Sequence, residues 1–299
     1  MKKTLIIFLL ISAGLFAQSS GSTGLSFLKL GFGARNIAMG DLGVVGTNDL
    51  TGFHYNPSLI AIKKKSQLSF THSSMMQDLT SKMFAGSFSL FGLPFTAGVN
   101  TTSITGIEVR TKPGVAESEF NANYFYGSLS TAFEVYRFFY AGLTVKYLYE
   151  SLYTNDATGT AFDFGLTYTG LYQDLTLGVS VRNIGSMNKL RNESTKLPSD
   201  FRLGAAYNTP LPGYNMDFTI LAGVQNYFEG DKLHFHSGAE ILYAETLALR
   251  VGYMSGYESK GLSAGFGIKW KSINIDYAFV PYKYALGDSH IIGFIFSFN

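Results

Sequence analysis

The chain has 299 residues, no cysteine and a net charge of +2, and only 15% of its residues are charged while 46% are hydrophobic. Soluble domains carry about 25% charged residues. The missing cysteine excludes disulfides, thiolate metal sites, cysteine nucleophiles and a lipid-modified cysteine; the near-neutral charge argues neither for nor against a nucleic-acid partner, and none is expected.

The N-terminus reads as a targeting segment. Lys2 and Lys3 precede an apolar run over 4–16, and Ala17 followed by Gln18 is a cleavage site of the small-residue type. Residues 1–17 are therefore expected to be a signal peptide and the mature chain to be exported. Beyond it, no run reaches the roughly 18 apolar residues that a membrane helix needs.

Residues 18–65 form a distinct N-terminal segment. A Ser/Gly stretch over 19–24 leads into glycine-rich turns and short apolar runs, Asn56-Pro57 marks a turn, and the basic triplet Lys63 to Lys65 closes the segment as a solvated turn. No period-two strand runs through it.

From residue 66 the pattern changes. Every second residue is apolar in stretch after stretch, which places one face of each strand in an apolar medium and the other in a polar one. The strands fall at 66–75, 82–91, 94–102, 121–133, 138–151, 158–171, 175–184, 200–207, 215–227, 232–243, 247–254, 261–270, 273–280 and 289–298. Their number is fourteen, even as in single-chain bacterial barrels. The connections alternate in length: short at 92–93, 134–137, 172–174, 208–214, 244–246 and 271–272, longer on average at 76–81, 103–120, 152–157, 185–199, 228–231, 255–260 and 281–288. Short turns on one side and longer loops on the other are the arrangement of an outer-membrane barrel with both termini periplasmic. The fold class expected is all-β: a 14-stranded antiparallel outer-membrane barrel over 66–299, embedded in outer-membrane lipid.

The faces can be assigned. Phe139, Ala141, Leu143, Val145, Tyr147 and Tyr149 share one face, and Gly142, Thr144 and Lys146 share the other. A Lys or Arg on the lipid face costs roughly 2–4 kcal/mol at the midplane, so charges belong inside. The inward polar face then holds Lys146, Asp163, Arg182, Arg202, Asp217, Gln225, His234, His236, Glu240, Arg250, Lys269 and Asp276. Both signs occur, which suits a salt-bridged interior, and the glycines interleaved with them leave room for a plug or a narrow lumen. His234 and His236 stand at i and i+2, but Glu240 lies ~13 Å further along the strand. They are read as lumenal polar groups, not metal ligands, and no catalytic set or cofactor motif emerges.

The stretch from Phe27 to Arg35, with Leu28, Gly31, Gly33 and Ala34 inside it, then Met39, Gly40 and later Tyr55-Asn56-Pro57, resembles the start of PorV/PorQ-like outer-membrane proteins within the FadL-type barrels. The resemblance runs from about residue 21 to the end. It implies that the N-terminal segment folds into the lumen as a plug. It also implies a non-enzymatic role in protein export or surface attachment, with type IX secretion components and secreted cargo as partners. The alternative is uptake of hydrophobic small molecules such as long-chain fatty acids. The last strand, with Phe294, Phe296 and Phe298, must pair with the first to close the sheet, and its aromatic ending resembles the terminal signal for barrel insertion.

Overall fold

The structure, a computed structural model, describes residues 24–47, 49–62, 65–76, 78–190, 193–229 and 232–298. The signal peptide expected at 1–17, most of the Ser/Gly stretch, Lys63, Lys64 and Asn299 lie outside the described residues.

Fourteen strands form one closed antiparallel barrel. They are β1 (Gln67–Ser74), β2 (Leu79–Leu90), β3 (Leu93–Val109), β4 (Ser118–Tyr136), β5 (Phe139–Leu152), β6 (Asn155–Tyr168), β7 (Leu175–Met187), β10 (Asp200–Leu211), β11 (Met216–Tyr227), β12 (His234–Tyr243), β13 (Leu247–Ser255), β14 (Leu262–Trp270), β15 (Ile273–Pro281) and β16 (Asp288–Ser297). Between β7 and β10, β8 (Lys189–Leu190) and β9 (Glu193–Ser194) make a small separate hairpin. Each barrel strand pairs with its neighbour in the chain, and β16 returns to β1, with Phe70 opposite Phe294 and Gln67 opposite Ser297. Closure leaves no edge of the barrel sheet unpaired, as a lipid environment demands.

The outer face is apolar. Phe84 is 50% exposed, Leu249 68% and Val251 53%. Such a surface has no place in water and is ordinary in contact with lipid. Exposed aromatics ring both ends: Tyr136, Tyr172, Tyr214 and Trp270 at the end with short turns, and Tyr147, Tyr153, Phe235 and Tyr253 toward the loops. These are the girdles of a membrane barrel. Lys82 is a departure: it projects outward opposite His72, toward the loop end of β2. Among the described residues no helix is long and apolar enough to cross a membrane.

Several connections differ from expectation. The loop expected at 103–120 is mostly wall: β3 and β4 continue as a hairpin to Val109 and Ser118, leaving 110–117 as the connection. A register shift between Ile104 and Ile107, with Gly106 at φ 70°, breaks the alternation there and hides the strands. The loop expected at 152–157 contracts to Tyr153-Thr154, because the polar Asn155 and Asp156 are paired in β6. The connection expected at 228–231 runs instead to residue 233. The turn-end links are tight; Phe91 and Gly92 both have positive φ (51° and 78°), as a two-residue hairpin turn requires.

The segment 24–62 packs against the inner wall. It carries four short elements: η1 (Ser26–Lys29), α1 (Ala34–Ala38), η2 (Leu50–His54) and η3 (Pro57–Ala61). Helix α1 lies against β13 to β16, and η3 against β3 to β6 on the other side. Inward glycines make this approach possible. A Cβ at Gly238 or Gly252 would collide with the backbone at Met39 and Gly40, and one at Gly142 with the backbone at Pro57 and Ser58. An apolar cluster, including Leu25, Phe27, Phe32, Phe53, Met83 and Tyr126, fills the side of the lumen toward β2–β6.

Candidate functional site

The inward polar residues sort into two ion networks that grip the segment, with a cavity beyond each. On the α1 side, Arg35 donates two hydrogen bonds to Glu240, from Nε to Oε2 at 2.9 Å and from Nη2 to Oε1 at 2.7 Å. Its third nitrogen, Nη1, reaches the Gly46 carbonyl at 2.6 Å. Glu240 also pairs with Arg250, which reaches Asp276 at 2.6 Å. The fork of Arg35 matches a carboxylate in plane, the strongest geometry such a pair adopts.

The second network centres on Asp200. Arg182 grips its carboxylate from Nε at 2.9 Å and Nη2 at 2.7 Å; Arg202 approaches at 3.3 Å, and Gln225 donates to the same group. The arginines then reach into the segment. Arg182 donates to the His54 carbonyl at 3.1 Å, and Arg202 to the Asp41 and Leu42 carbonyls at 2.6 and 2.8 Å. Nearby, Lys146 pairs with Asp163 at 2.7 Å and donates to Asn183 at 2.9 Å. The Asn183 amide donates to Asp163 at 2.8 Å, where Asn183, at φ 57°, bulges out of register between Phe162 and Phe164.

Motif residues tie the segment to itself and to the wall. Tyr55 donates to Asp41 at 2.6 Å and accepts from the Phe32 amide at 2.8 Å. Asn56 caps η3 by accepting from the Ser58 amide, while its own amide donates to the Val44 carbonyl and to Thr167 of β6, each at 3.0 Å. Pro57 holds the first position of η3, where its missing N–H costs nothing. Buried Phe27, Leu28, Ala34 and Met39 contribute packing, and Gly33, at φ 79°, sets the entry to α1. His54 contacts the Tyr126 hydroxyl at 3.0 Å and the Leu30 carbonyl at 3.3 Å. Burial, then the charges of Arg182, Lys146 and Arg202, hold its imidazole well below the usual histidine range. The ring is thus neutral, accepting at Nδ1 and donating from Nε2.

A vestibule of about 720 Å³ opens at the turn end. Asp217 and Lys269 line it, as do Arg35, Glu240, Arg250 and Asp276. At the loop end is a cleft of about 340 Å³ walled by Tyr227, Tyr257, Tyr282, His234, Lys29 and Lys260. Its aromatics are layered: His234 stacks on Tyr257 at 3.9 Å, and the Lys29 and Lys260 ammonium groups stand 4.6 and 4.3 Å from the Tyr227 and Tyr257 ring centres. Burial lowers the Lys260 ammonium from its ordinary value, with Asp41 at 3.9 Å acting to raise it. His236 contacts the Gly40 carbonyl through Nδ1 at 2.6 Å and Tyr257 through Nε2 at 3.3 Å.

Thr167 shares the polar face of its strand with Asp163, while Asp200, Asp41 and Asn183 complete these networks but were absent from the inward set read from the sequence. Asp200 shares the alternation of Arg202 and was legible by the same rule. Asp41, in a segment without periodicity, gave no signal.

No protein-family model matches the sequence, and no curated protein does. Among solved structures, the toluene transporter TodX of Pseudomonas putida is similar over 89% of this chain and 97% of its own, with 14% identity and a TM-score of 0.63. A TodX variant described as a monoaromatic hydrocarbon channel aligns over 90% and 99%, with 13% identity and a TM-score of 0.71. CymD, also a monoaromatic hydrocarbon channel, aligns over 93% and 99%, with 14% identity and a TM-score of 0.60. The chain shares the barrel fold of these transporter and channel structures.

Proposed function

We infer that this protein is a gated outer-membrane channel for hydrophobic small molecules. The segment 18–65 is its lumenal plug, 66–299 its barrel, and 1–17 a cleaved signal peptide. The short turns and both ends of the barrel domain face the periplasm. The observation that carries this reading is the segment spanning the lumen from α1 on one wall to η3 on the other, with a separate cavity beyond each face. An open porin has no use for such an obstruction, whereas a channel that admits selected molecules needs one. The aromatic cleft is the entry site, and the apolar cluster beneath it gives an uncharged guest its next surface. The similarity to a toluene transporter and to monoaromatic hydrocarbon channels favours uptake over protein export. The reading with type IX secretion components and secreted cargo rests on the sequence resemblance alone.

A covalent lock tests it. The Ala34 Cβ stands 3.6 Å from where a Gly293 Cβ would be, within the 3.5–4.5 Å range of a disulfide, and the chain has no native cysteine to interfere. Oxidised Ala34→Cys/Gly293→Cys protein is expected to lose most uptake of radiolabelled toluene or oleate into cells lacking other such channels. Reduction should restore it. Uptake no faster than in cells without the protein, for both probes, would remove the hydrophobic-channel reading.

A further inference from the structure

We propose that the inner face of β1 lines a hydrated path through the barrel, separate in function from the uptake of apolar molecules, that passes water and small uncharged hydrogen-bonding solutes. Successive inward positions on this one strand border successive cavities. Gln67 lines the vestibule, Ser69 and Thr71 a second cavity, Thr71 and Ser73 a third, and Met76, just beyond the strand, the outer cleft. The cavities also share walls. Arg35, Asp49 and Asp276 border both the vestibule and the second, Thr71 both the second and third, and Leu30 both the third and the cleft.

The middle cavities are small, about 10 Å³ each, close to the roughly 10–15 Å³ of free space needed to admit one water. Their chemistry suits water. Ser69 and Thr71 are each 2% exposed, and neither hydroxyl has a hydrogen-bond partner among the described residues. Further polar atoms at the third cavity come from β2 and β3, where Asn100 donates to Ser81 at 2.9 Å. Buried hydroxyls in a polar cavity are ordinarily satisfied by ordered water. The facing part of the segment is the stretch Gly31 to Ala34.

The same dimensions exclude ions. A hydrated ion would have to shed most of its shell to enter a one-water cavity, and the hydroxyls there do not replace it. At the vestibule end it would also meet Arg35, Asp49 and Asp276, charges of both signs. The path therefore conducts neutral molecules in single file. This goes beyond the uptake reading and does not depend on it, because no apolar ligand or movement of the segment is required.

The test is osmotic shrinkage of liposomes containing the purified full-length protein, followed by stopped-flow light scattering. Wild-type liposomes are expected to shrink several-fold faster than protein-free ones. Thr71→Leu should fall to the protein-free rate, and Thr71→Gly should shrink faster and pass urea faster than the wild type does. Thr71→Val keeps the volume and removes the hydroxyl, so it should lose at least half of the protein-dependent rate; it decides the matter if the leucine variant does not fold. Heat-shifted gel migration reports folding in each case. A wild-type rate equal to that of protein-free liposomes, an unchanged rate in folded Thr71→Leu, or leakage of potassium as fast as water would overturn the proposal.

Discussion

Asp200 illustrates how one side chain can hold two others in a lumen. Arg182 and Arg202 both lean on its carboxylate, and Arg182, Arg202 and Asp200 are each no more than 1% exposed. Removing one partner of a buried pair leaves an uncompensated charge and costs about 3–5 kcal/mol. Asp200→Asn strands two guanidinium groups, so its loss should lie at the upper end. Arg35→Gln is milder, on the order of 1–3 kcal/mol, because Glu240 keeps Arg250. Urea titration of barrels refolded in detergent micelles should rank Asp200→Asn below Arg35→Gln, and the reverse order would contradict these assigned roles. His54 adds a pH dependence. Its folded pKa lies well below the ordinary 6.5, so between those values the unfolded chain binds a proton that the folded chain refuses. That contribution to stability is complete above pH 6.5 and is lost as pH falls toward the folded value. Heat-shifted gel migration from pH 8 to pH 5 should show a falling transition temperature in wild type and a flatter profile in His54→Gln.

At the level of elements, the glycines of the inner wall act together with the segment. Gly252 of β13 and Gly238 of β12 are paired directly across the ladder and face the Met39–Gly40 backbone. A valine at Gly252 leaves the strand's hydrogen bonding intact, since valine suits a strand, yet it removes the space beneath the segment. The expected outcome for Gly252→Val is a barrel that still inserts and shows the folded gel shift, with a displaced segment. Protease accessibility of the segment and single-channel conductance should both rise; a silent, protease-resistant variant would show that the contact is dispensable. Most of the barrel was legible because alternation is a direct consequence of a two-sided strand, and residues such as Leu143, Val145 and Tyr147 sit outward as read. The same logic failed at Gly106, where one bulge shifts the period and two strands pass for a loop. The inner segment was legible only in outline. Its four elements are four or five residues long, too short for any periodicity, and its partners lie far away in sequence, as with Arg35 and Glu240, 205 residues apart.

For the whole molecule, the question is whether the barrel stands without the segment. The wall's buried charges answer it. Among the ion-paired charges buried in the wall, Lys146, Arg182, Arg202 and Arg250 are four cations, and Asp163, Asp200, Glu240 and Asp276 are four carboxylates, each joined to at least one of the opposite set by a wall-to-wall ion pair. Arg35 is an addition to Glu240, not its sole partner. Deleting 24–62 therefore strips no wall carboxylate of its last cation. It exposes a lumen lined by glycines, hydroxyls and balanced ion pairs, which water can fill. Much apolar contact is lost, including that of Phe53 and Tyr55, each no more than 1% exposed, but these pack on the inner surface and leave the strand ladder and the lipid face untouched. The expected outcome is a barrel that still inserts, with a lower unfolding midpoint, and that conducts ions as an open pore. Planar-bilayer recording checks it: large, steady, salt-dependent openings in the deletion protein and their absence in the intact chain. A deletion protein that inserts and stays electrically closed would mean that something other than the segment shuts the lumen, and the division into plug and barrel would have to be abandoned.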